Sequence, residues 1–249
     1  MAKPRRIKTA FITILLLLVI INFASPGRKR IIQPENNAPT VTIIKPKNDS
    51  TFAFNAPSVY TIAVVDKEDG DSRYDEINGK EVLLQVKYAA NYDGTAKPVY
   101  KGAIIDAPGL VLIRTNNCFN CHAFNSKGIG PSFYDIVQKY AATEANINLL
   151  AKRVKDGATG TWGKVAMPMH PELNPGQAQA IVDWILHYAA EPGIDYYVGT
   201  SGTFRLKPRH DNTANTAYIL TASYIDHGIK TDSTKPHLEG CSTIVVKGK

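Results

Sequence analysis

Two thiols and an imidazole stand within five residues, at Cys118, Cys121 and His122. Positions three apart on a helical turn share one face, so both thiols can reach the same flat group. The imidazole then places a coordinating nitrogen beside that group. Thioether bonds to the two vinyl groups of a haem, with the histidine on the iron, use this arrangement. The spacing therefore predicts one covalently attached haem c.

Three other chemistries of the C-x-x-C pair remain as alternatives. A zinc site needs a second pair of ligands, yet the only other cysteine is Cys241, in a distant strand-like stretch. A redox-active dithiol should follow a strand, whereas the helix-like run "PGLVLIRTNN" precedes this one. A disulfide between such close cysteines is strained and leaves His122 without a role. For Cys241 we expect a buried, inert thiol, with an intermolecular disulfide as the alternative.

The N-terminus has the pattern of an export signal. Basic residues precede an apolar run at residues 10–24, which is shorter than the ~20 residues that span a bilayer. Asn22 occupies a cleavage position where a small residue is expected. We therefore expect residues 1–30 to be a signal peptide or an N-terminal membrane anchor. The predicted location is the periplasm, with the protein either soluble or anchored to the cytoplasmic membrane through residues 10–24.

The positive net charge belongs to this targeting segment. The whole chain carries +7, and residues 1–30 contain seven basic residues and no acidic one. The remainder holds 22 basic and 22 acidic residues. The basic pI is therefore no indication of nucleic-acid binding, and we expect no nucleic-acid partner.

Helical periodicity dominates residues 107–194. Apolar side chains recur at helical spacing in three runs after the C-x-x-C-H motif, and a helix-like run precedes it. The last helix has a clear start, with Asn174 as N-cap, Pro175 at the first position and Gln177 completing a capping box. The expected fold of this segment is all-α. The apolar stripes are Phe133, Ile136, Val137 and Tyr140; Ile147, Leu150, Ala151 and Val154; and Ile181, Trp184, Ile185 and Tyr188.

Four stretches give residues 108–193 a resemblance to the small monohaem class I cytochromes c of bacteria. They are "CFNCHAF", "GIGPSFYDIVQKY", "GATGTWGKVAMP" and "IVDWIL", in that order. The resemblance implies a cytochrome c fold over 107–194 that carries electrons on its haem.

The same resemblance assigns further residues around the haem. It implies that Met167 is the second iron ligand and that the carbonyl of Pro131 accepts a hydrogen bond from His122. Trp162 would lie against the haem edge near a propionate, and Gly109 would let the first helix cross the last one closely. Met169 and His170 follow Met167 on the same loop, and we expect that neither binds the iron.

Strand-like segments flank the helical region. After a linker at 31–37, alternating apolar residues predict a small Ig-like β-sandwich at 38–106. A β-rich segment at 198–249 is too short for its own core, so we expect it to pack on a neighbour. Its Tyr218 and Tyr224 are expected in the core or against a sheet face. The acidic stretch from Asp66 to Asp75 is interpreted as a solvated loop, with calcium binding as the alternative.

The flanks contain the stretches "VTIIKPKNDSTF", "YTIAVVDKEDG" and "TASYIDHG". On these stretches they resemble the β-modules that bracket a cytochrome domain in secreted quinoprotein sugar dehydrogenase-like chains. The catalytic propeller of such chains has no counterpart here, which implies separate redox partner proteins, such as a quinoprotein sugar dehydrogenase. The expected function is electron transfer from a periplasmic dehydrogenase to a downstream acceptor, without enzymatic activity. The alternative is a glycan- or protein-binding module with a secondary haem domain.

Overall fold

The computed structural model describes residues 35–90, 92–94, 99–102, 104–209 and 216–249. The signal or anchor predicted for residues 1–30 lies outside the described residues, as does the first part of the 31–37 linker. Within the described part of the chain, no helix is both long and apolar enough to cross a membrane.

In the described part of the chain, ten strands form two sheets. The first has the order β1-β3-β4, with β8 also paired to β3, and the second has the order β2-β10-β9-β5-β7, with β6 paired to β10. The strands are β1 Thr40–Lys45, β2 Thr51–Phe52, β3 Ser58–Asp66, β4 Gly70–Asp71, β5 Leu83–Ala89, β6 Val99–Gly102, β7 Ile194–Val198, β8 Ser201–Phe204, β9 Ala217–Ile225 and β10 Glu239–Gly248.

The strand pairing corrects the predicted division of the β regions. Strand β5 lies between β7 and β9, and β8 pairs with β3, so the segments 38–106 and 198–249 build both sheets together. Alternating hydrophobicity shows which face of a strand is buried but not which strand lies beside it. The β part is therefore one sandwich made from both flanks, and the helical region is inserted between β6 and β7.

The two sheets face each other across a core made of side chains. Alternate residues of β3 are buried, and Tyr60 and Val64 on it belong to one apolar cluster with Leu84, Phe204 and Leu220 from the other strands. Tyr218 and Tyr224 are exposed by only 4% and 0%, as expected of core residues.

The helical region contains the four predicted helices. They are α1 Pro108–Thr115, α2 Phe133–Lys139, α3 Glu144–Asp156 and α4 Pro175–Tyr188. The predicted capping box of α4 is confirmed, because the Asn174 side chain accepts from the Gln177 N–H and the Gln177 side chain accepts from the Asn174 N–H, each at 2.9 Å. A second capping box, between Ser132 and Asp135, begins α2.

Gly109 permits the close crossing of α1 and α4. A Cβ at this position would lie 2.2 Å from the carbonyl oxygen of Ala180 and 2.5 Å from Cβ of Trp184. Both distances are far below van der Waals contact, so any side chain would push the two helices apart. The role that the resemblance implies for this glycine is confirmed.

The sandwich packs directly on the helical region. Tyr196 of β7 stacks on Phe124, with ring centroids 4.6 Å apart, and also contacts Trp184. Arg114 on α1 forms buried ion pairs with Glu239 of β10 at 2.8 Å and with Asp106 at 2.5 Å. The last turn of α1, which leads into the C-x-x-C-H motif, is thereby held against the sandwich.

Candidate haem site

The C-x-x-C-H motif begins on a single turn of 3-10 helix, Cys118–Asn120, instead of the expected α-helical turn. Residues three apart are eclipsed in a 3-10 helix, so Cys118 and Cys121 still share one side. Asn117, in the left-handed conformation at φ 59°, joins this turn to the end of α1. Both thiols line the same cavity.

His122 is held by the backbone of the following loop. Its Nδ1 lies 2.8 Å from the carbonyl oxygen of Pro131, so the Nδ1–H donates and Nε2 is left to bind a metal. Burial lowers the pKa of His122, which favours the neutral, ligating form of the ring. A Cβ on Gly130 would lie 2.7 Å from Cε1 of His122, so the ring depends on a glycine at this position.

The environment of the thiols bears on the alternatives to haem. Cys118 and Cys121 form no disulfide with each other. Burial raises the pKa of the Cys118 thiol to about 12, which is the opposite of the lowered pKa that activates a redox-active dithiol. Over the described residues, no three His, Cys, Asp or Glu side chains converge to hold a metal ion. These observations disfavour a dithiol redox centre and a zinc site.

The loop after α3 separates the three candidates for a second iron ligand. Met167 exchanges two backbone hydrogen bonds with Ala158, at 2.7 and 3.2 Å, and its half-buried side chain lines the cavity. Met169 is 62% exposed. His170 is bound through Nδ1 to Glu172 at 2.7 Å. Of the three, only Met167 lines the cavity.

Trp162 stands at the edge of the same cavity and is 37% exposed. Lys139 lies over its ring, with Nζ 4.5 Å from the centroid. Arg153, which the sequence analysis did not single out, also lines the cavity and donates from Nη1 to the hydroxyl of Tyr140 at 2.9 Å. In the sequence, Arg153 could have been recognised as a residue of the cavity wall only because it is a cation next to the apolar stripe of α3.

The thiols, His122, Met167, Trp162 and Arg153 all line one cavity of about 550 Å³. All six residues predicted for the site line it: Cys118, Cys121, His122, Pro131, Trp162 and Met167. Much of the remaining wall is apolar. The helices α1, α2, α3 and α4 contribute residues such as Ile113, Ile136, Leu150 and Ile185, and the loops at 127–130 and 158–168 contribute most of the rest. A covalently held haem fits this cavity. Both thiols lie on the same side of the 3-10 turn, one imidazole nitrogen is free to bind iron, and a thioether lines the apolar wall. The fold and the site define a haem-binding helical domain.

Comparison with known proteins gives the family of this domain. Residues 107–189 match the family model described as Cytochrome c. The chain is 39% identical over 75 residues to cytochrome c-552 of Nitrosomonas europaea, a match that covers 30% of this chain and 73% of that protein. It is 37% identical over 78 residues to cytochrome c-551 of Azotobacter vinelandii, covering 31% and 94% of the two proteins.

Among solved structures, the wild-type cytochrome c552 of Nitrosomonas europaea shares 37% identity over 31% of this chain and 96% of that one, with a TM-score of 0.30. The sequence match to these relatives, which covers most of their length, establishes the family. The chain belongs to the cytochrome c family through residues 107–189. It thus carries an electron-transfer domain that holds covalent haem c and serves redox partner proteins.

Proposed function

We propose that this protein is an exported electron carrier with one haem c, attached through Cys118 and Cys121 and ligated by His122 and Met167. The observation that supports this best is the convergence of all four side chains on one cavity. The bound haem would supply a one-electron redox centre. The histidine and methionine would occupy both axial positions of the iron, which leaves no position for a substrate. We therefore propose a carrier and not an enzyme.

The chain itself would keep both ligands in place. The carbonyl of Pro131 holds the ring of His122 through the Nδ1–H, which also makes Nε2 more basic. The backbone pairing with Ala158 holds Met167 where its side chain faces the cavity. Such rigid ligands suit electron transfer because little has to move when the charge on the site changes.

The proposed location is the periplasm. The support is the basic and apolar pattern of residues 1–30, together with a haem linkage that is made outside the cytoplasm. Residues 10–24 would either be removed with a signal or remain as a membrane tether. The proposed electron donor is a periplasmic dehydrogenase, and the resemblance of the flanking β segments favours one of the quinoprotein sugar dehydrogenase type. We also propose an Ig-like topology for the sandwich, on the basis of the alternating apolar residues of its strands.

The alternative function, a glycan- or protein-binding module, gains no support from the two aromatic residues of the C-terminal β segment. Its candidate aromatics, Tyr218 and Tyr224, are buried at 4% and 0% exposure. A sugar ring stacks on an exposed aromatic face, and neither ring offers one.

Optical and redox measurements on ligand variants of the haem-loaded protein test the proposal. Met167→Ala should abolish the near-infrared methionine-to-iron band of the oxidised protein and admit external ligands to the iron. It should also lower the reduction potential by on the order of 0.1 V, because the axial ligand is a main determinant of that potential. Met169→Ala is the matched control and should leave the spectrum and the potential unchanged, since Met169 is exposed.

His170 could replace the lost ligand, so the experiment includes the double variant Met167→Ala/His170→Ala. A six-coordinate spectrum in the single variant that becomes five-coordinate in the double variant would identify His170 as the substitute. Loss of the band in Met169→Ala but not in Met167→Ala would overturn the ligand assignment. A protein that matures and folds without haem would overturn the proposed function.

A further inference from the structure

Carboxylates gather at one end of the sandwich. Asp66 ends β3, Asp69 lies in the turn that follows, and Asp226 comes directly after β9. Asp66 and Asp226 are exposed by only 4% and 1%. Three acidic side chains that approach each other away from water require compensating charge.

The negative charge of Asp69 is balanced by neighbouring hydrogen-bond donors and by a protonated histidine. Asp69 accepts hydrogen bonds from the hydroxyl of Tyr224 at 2.8 Å and from the backbone N–H of His227 at 2.9 Å. The ring of His227 lies between Asp69 and Glu81, at 3.2 and 3.3 Å, and these two carboxylates raise its pKa to about 10. A protonated His227 therefore neutralises this part of the cluster.

Asp66 and Asp226 have no comparable cation. Oδ1 of Asp66 accepts from the N–H groups of Glu68 and Asp69, but its Oδ2 is buried without any partner among the described residues. Among the residues that the structure describes, the side chain of Asp226 accepts hydrogen bonds from neutral donors alone, at Asn36, Gly228 and Leu238.

The nearest ring to Asp226 does not supply the missing charge. His237 donates from Nδ1 to the backbone carbonyl of Asp226 at 2.6 Å, and Nδ1 is 3.9 Å from the carboxylate. Burial, together with the charges of neighbouring aspartates, raises the pKa of both Asp66 and Asp226. Both carboxylates thus lie in a place that favours binding of a positive charge.

The side chain of Asn36 gives independent evidence that a positively charged partner is missing beside Asp226. Asn36 donates from Nδ2 to Oδ2 of Asp226 and to the carbonyl of Pro236, both at 2.9 Å. These two bonds fix the orientation of the amide, because a flipped amide would face two acceptors with its oxygen. The Oδ1 of Asn36 is nevertheless buried and has no donor among the described residues. A buried acceptor without a donor is costly and indicates a missing partner.

We propose that Asn36, Asp66 and Asp226 bind a calcium ion at this end of the sandwich. The donors are all oxygens, two carboxylates and one amide, which is the ligand chemistry of a hard divalent cation. Calcium accepts irregular sets of carboxylate, amide and water oxygens, whereas magnesium demands near-ideal octahedral geometry. Over the described residues, no group of three acidic, histidine or cysteine side chains could hold a metal ion, so the proposed site has only two carboxylates, and the amide of Asn36 and water would have to supply the other ligands. The affinity should be in the weak range of extracellular modules, with Kd of about 10⁻⁴–10⁻³ M.

The ion would join parts of the chain that are far apart in sequence. Asn36 precedes β1, Asp66 ends β3, and Asp226 follows β9. Calcium binding should therefore stabilise the sandwich and leave the haem site unaffected.

Thermal unfolding and calorimetric titration of the haem-loaded, full-length protein test the proposal. Calcium at about 100 times its Kd should raise the Tm of the wild-type protein by roughly 5–10 °C over the value in EGTA at equal ionic strength. Asp66→Asn and Asn36→Ala should each weaken calcium binding at least tenfold. Asp75→Asn is the matched control from the same acidic stretch, since Asp75 is exposed and its left-handed conformation suits asparagine.

Two results would overturn the proposal. One is a wild-type protein with no binding heat and no Tm shift up to about 10 mM calcium. The other is a shift of equal size in wild type, Asp66→Asn and Asn36→Ala. Asn36→Ala keeps all the acidic residues, so it remains informative if Asp66→Asn fails to fold. The visible spectrum of the haem serves as an internal reference and should not change with calcium.

Discussion

The helical region and the sandwich build their interiors in opposite ways. The helical region is one continuous stretch of chain, and beside its two clusters of buried apolar side chains lies a cavity of about 550 Å³. The sandwich is made from two distant stretches, and side chains such as Tyr60, Phe204 and Tyr224 fill its centre. The difference teaches that the sandwich can be stable on its side chains alone, whereas the helical region needs a group that the chain does not encode.

Removal of both attachment thiols should produce the largest difference in stability between the two regions. Without haem, the apolar wall of this cavity of about 550 Å³ would face water, and the region would lose the stabilisation that comes from burying that surface. In Cys118→Ala/Cys121→Ala we expect loss of covalent haem and of the helical circular dichroism signal. Limited proteolysis should then cut within 107–189 and leave two sandwich fragments that still co-elute.

Cys241→Ala provides the control, because this cysteine is buried in β10 and should not affect haem attachment. A haem-free double variant whose helical region stays folded and protease-resistant would contradict the comparison, since the region would then be stable without haem.

The ion pair between the regions should give the next largest effect. The side chains of Arg114 and Glu239 are exposed by only 2% and 1%. Arg114→Met leaves Glu239 buried without its cation, so we expect a loss of about 3–5 kcal/mol in the free energy of unfolding. Denaturant titration should show two transitions in this variant if the ion pair couples the regions.

Adding Glu239→Gln to Arg114→Met should restore much of the lost stability, because it removes the buried charge. Lys152→Met is the control: its partner is Asp156, both side chains are more than half exposed, and its loss should cost less than about 1 kcal/mol. Equal losses in Arg114→Met and Lys152→Met would show that the buried pair does not hold the regions together.

Gly109 allows a matched pair of substitutions within the helical region. Gly109→Ala should destabilise by about 2–3 kcal/mol, because the new Cβ collides with the backbone of α4. Gly176 also follows a proline at the start of a helix, but a Cβ there would meet only Oδ1 of Asn174, at 3.4 Å. Gly176→Ala should be neutral or slightly stabilising. Thermal melts followed at the haem absorption would measure both, and equal effects would contradict the helix-crossing role.

The stacked pair Phe124 and Tyr196 should give the smallest effect. A double-mutant cycle with leucine at both positions should yield a coupling energy of about 1 kcal/mol across the boundary between the regions. The pair Phe52 and Phe204, with centroids 5.5 Å apart inside the sandwich, is the reference cycle. A coupling near zero for the first pair alone would mean that the regions touch at this point without stabilising each other.

Patterns among residues close in sequence were enough to predict most of the helical region. Its four helices follow from apolar residues at helical spacing and from caps such as Asn174, which depend on neighbours in sequence. Cys118, Cys121 and His122 are recognisable because their chemistry requires adjacent residues. Met167 could be assigned only through its resemblance to a family, because its distance from the motif in sequence carries no local signal.

The sequence by itself determined the haem motif, the helices and the buried faces of the main strands, since each depends on residues within a few positions of one another. Only the tertiary structure decided that the two flanks share their sheets, that Arg114 meets Glu239, and that Asn36 meets Asp226. Each of these contacts joins residues more than a hundred positions apart. Periodicity specifies which side of a strand is buried, but the partner is selected by packing and charge compensation in the folded chain.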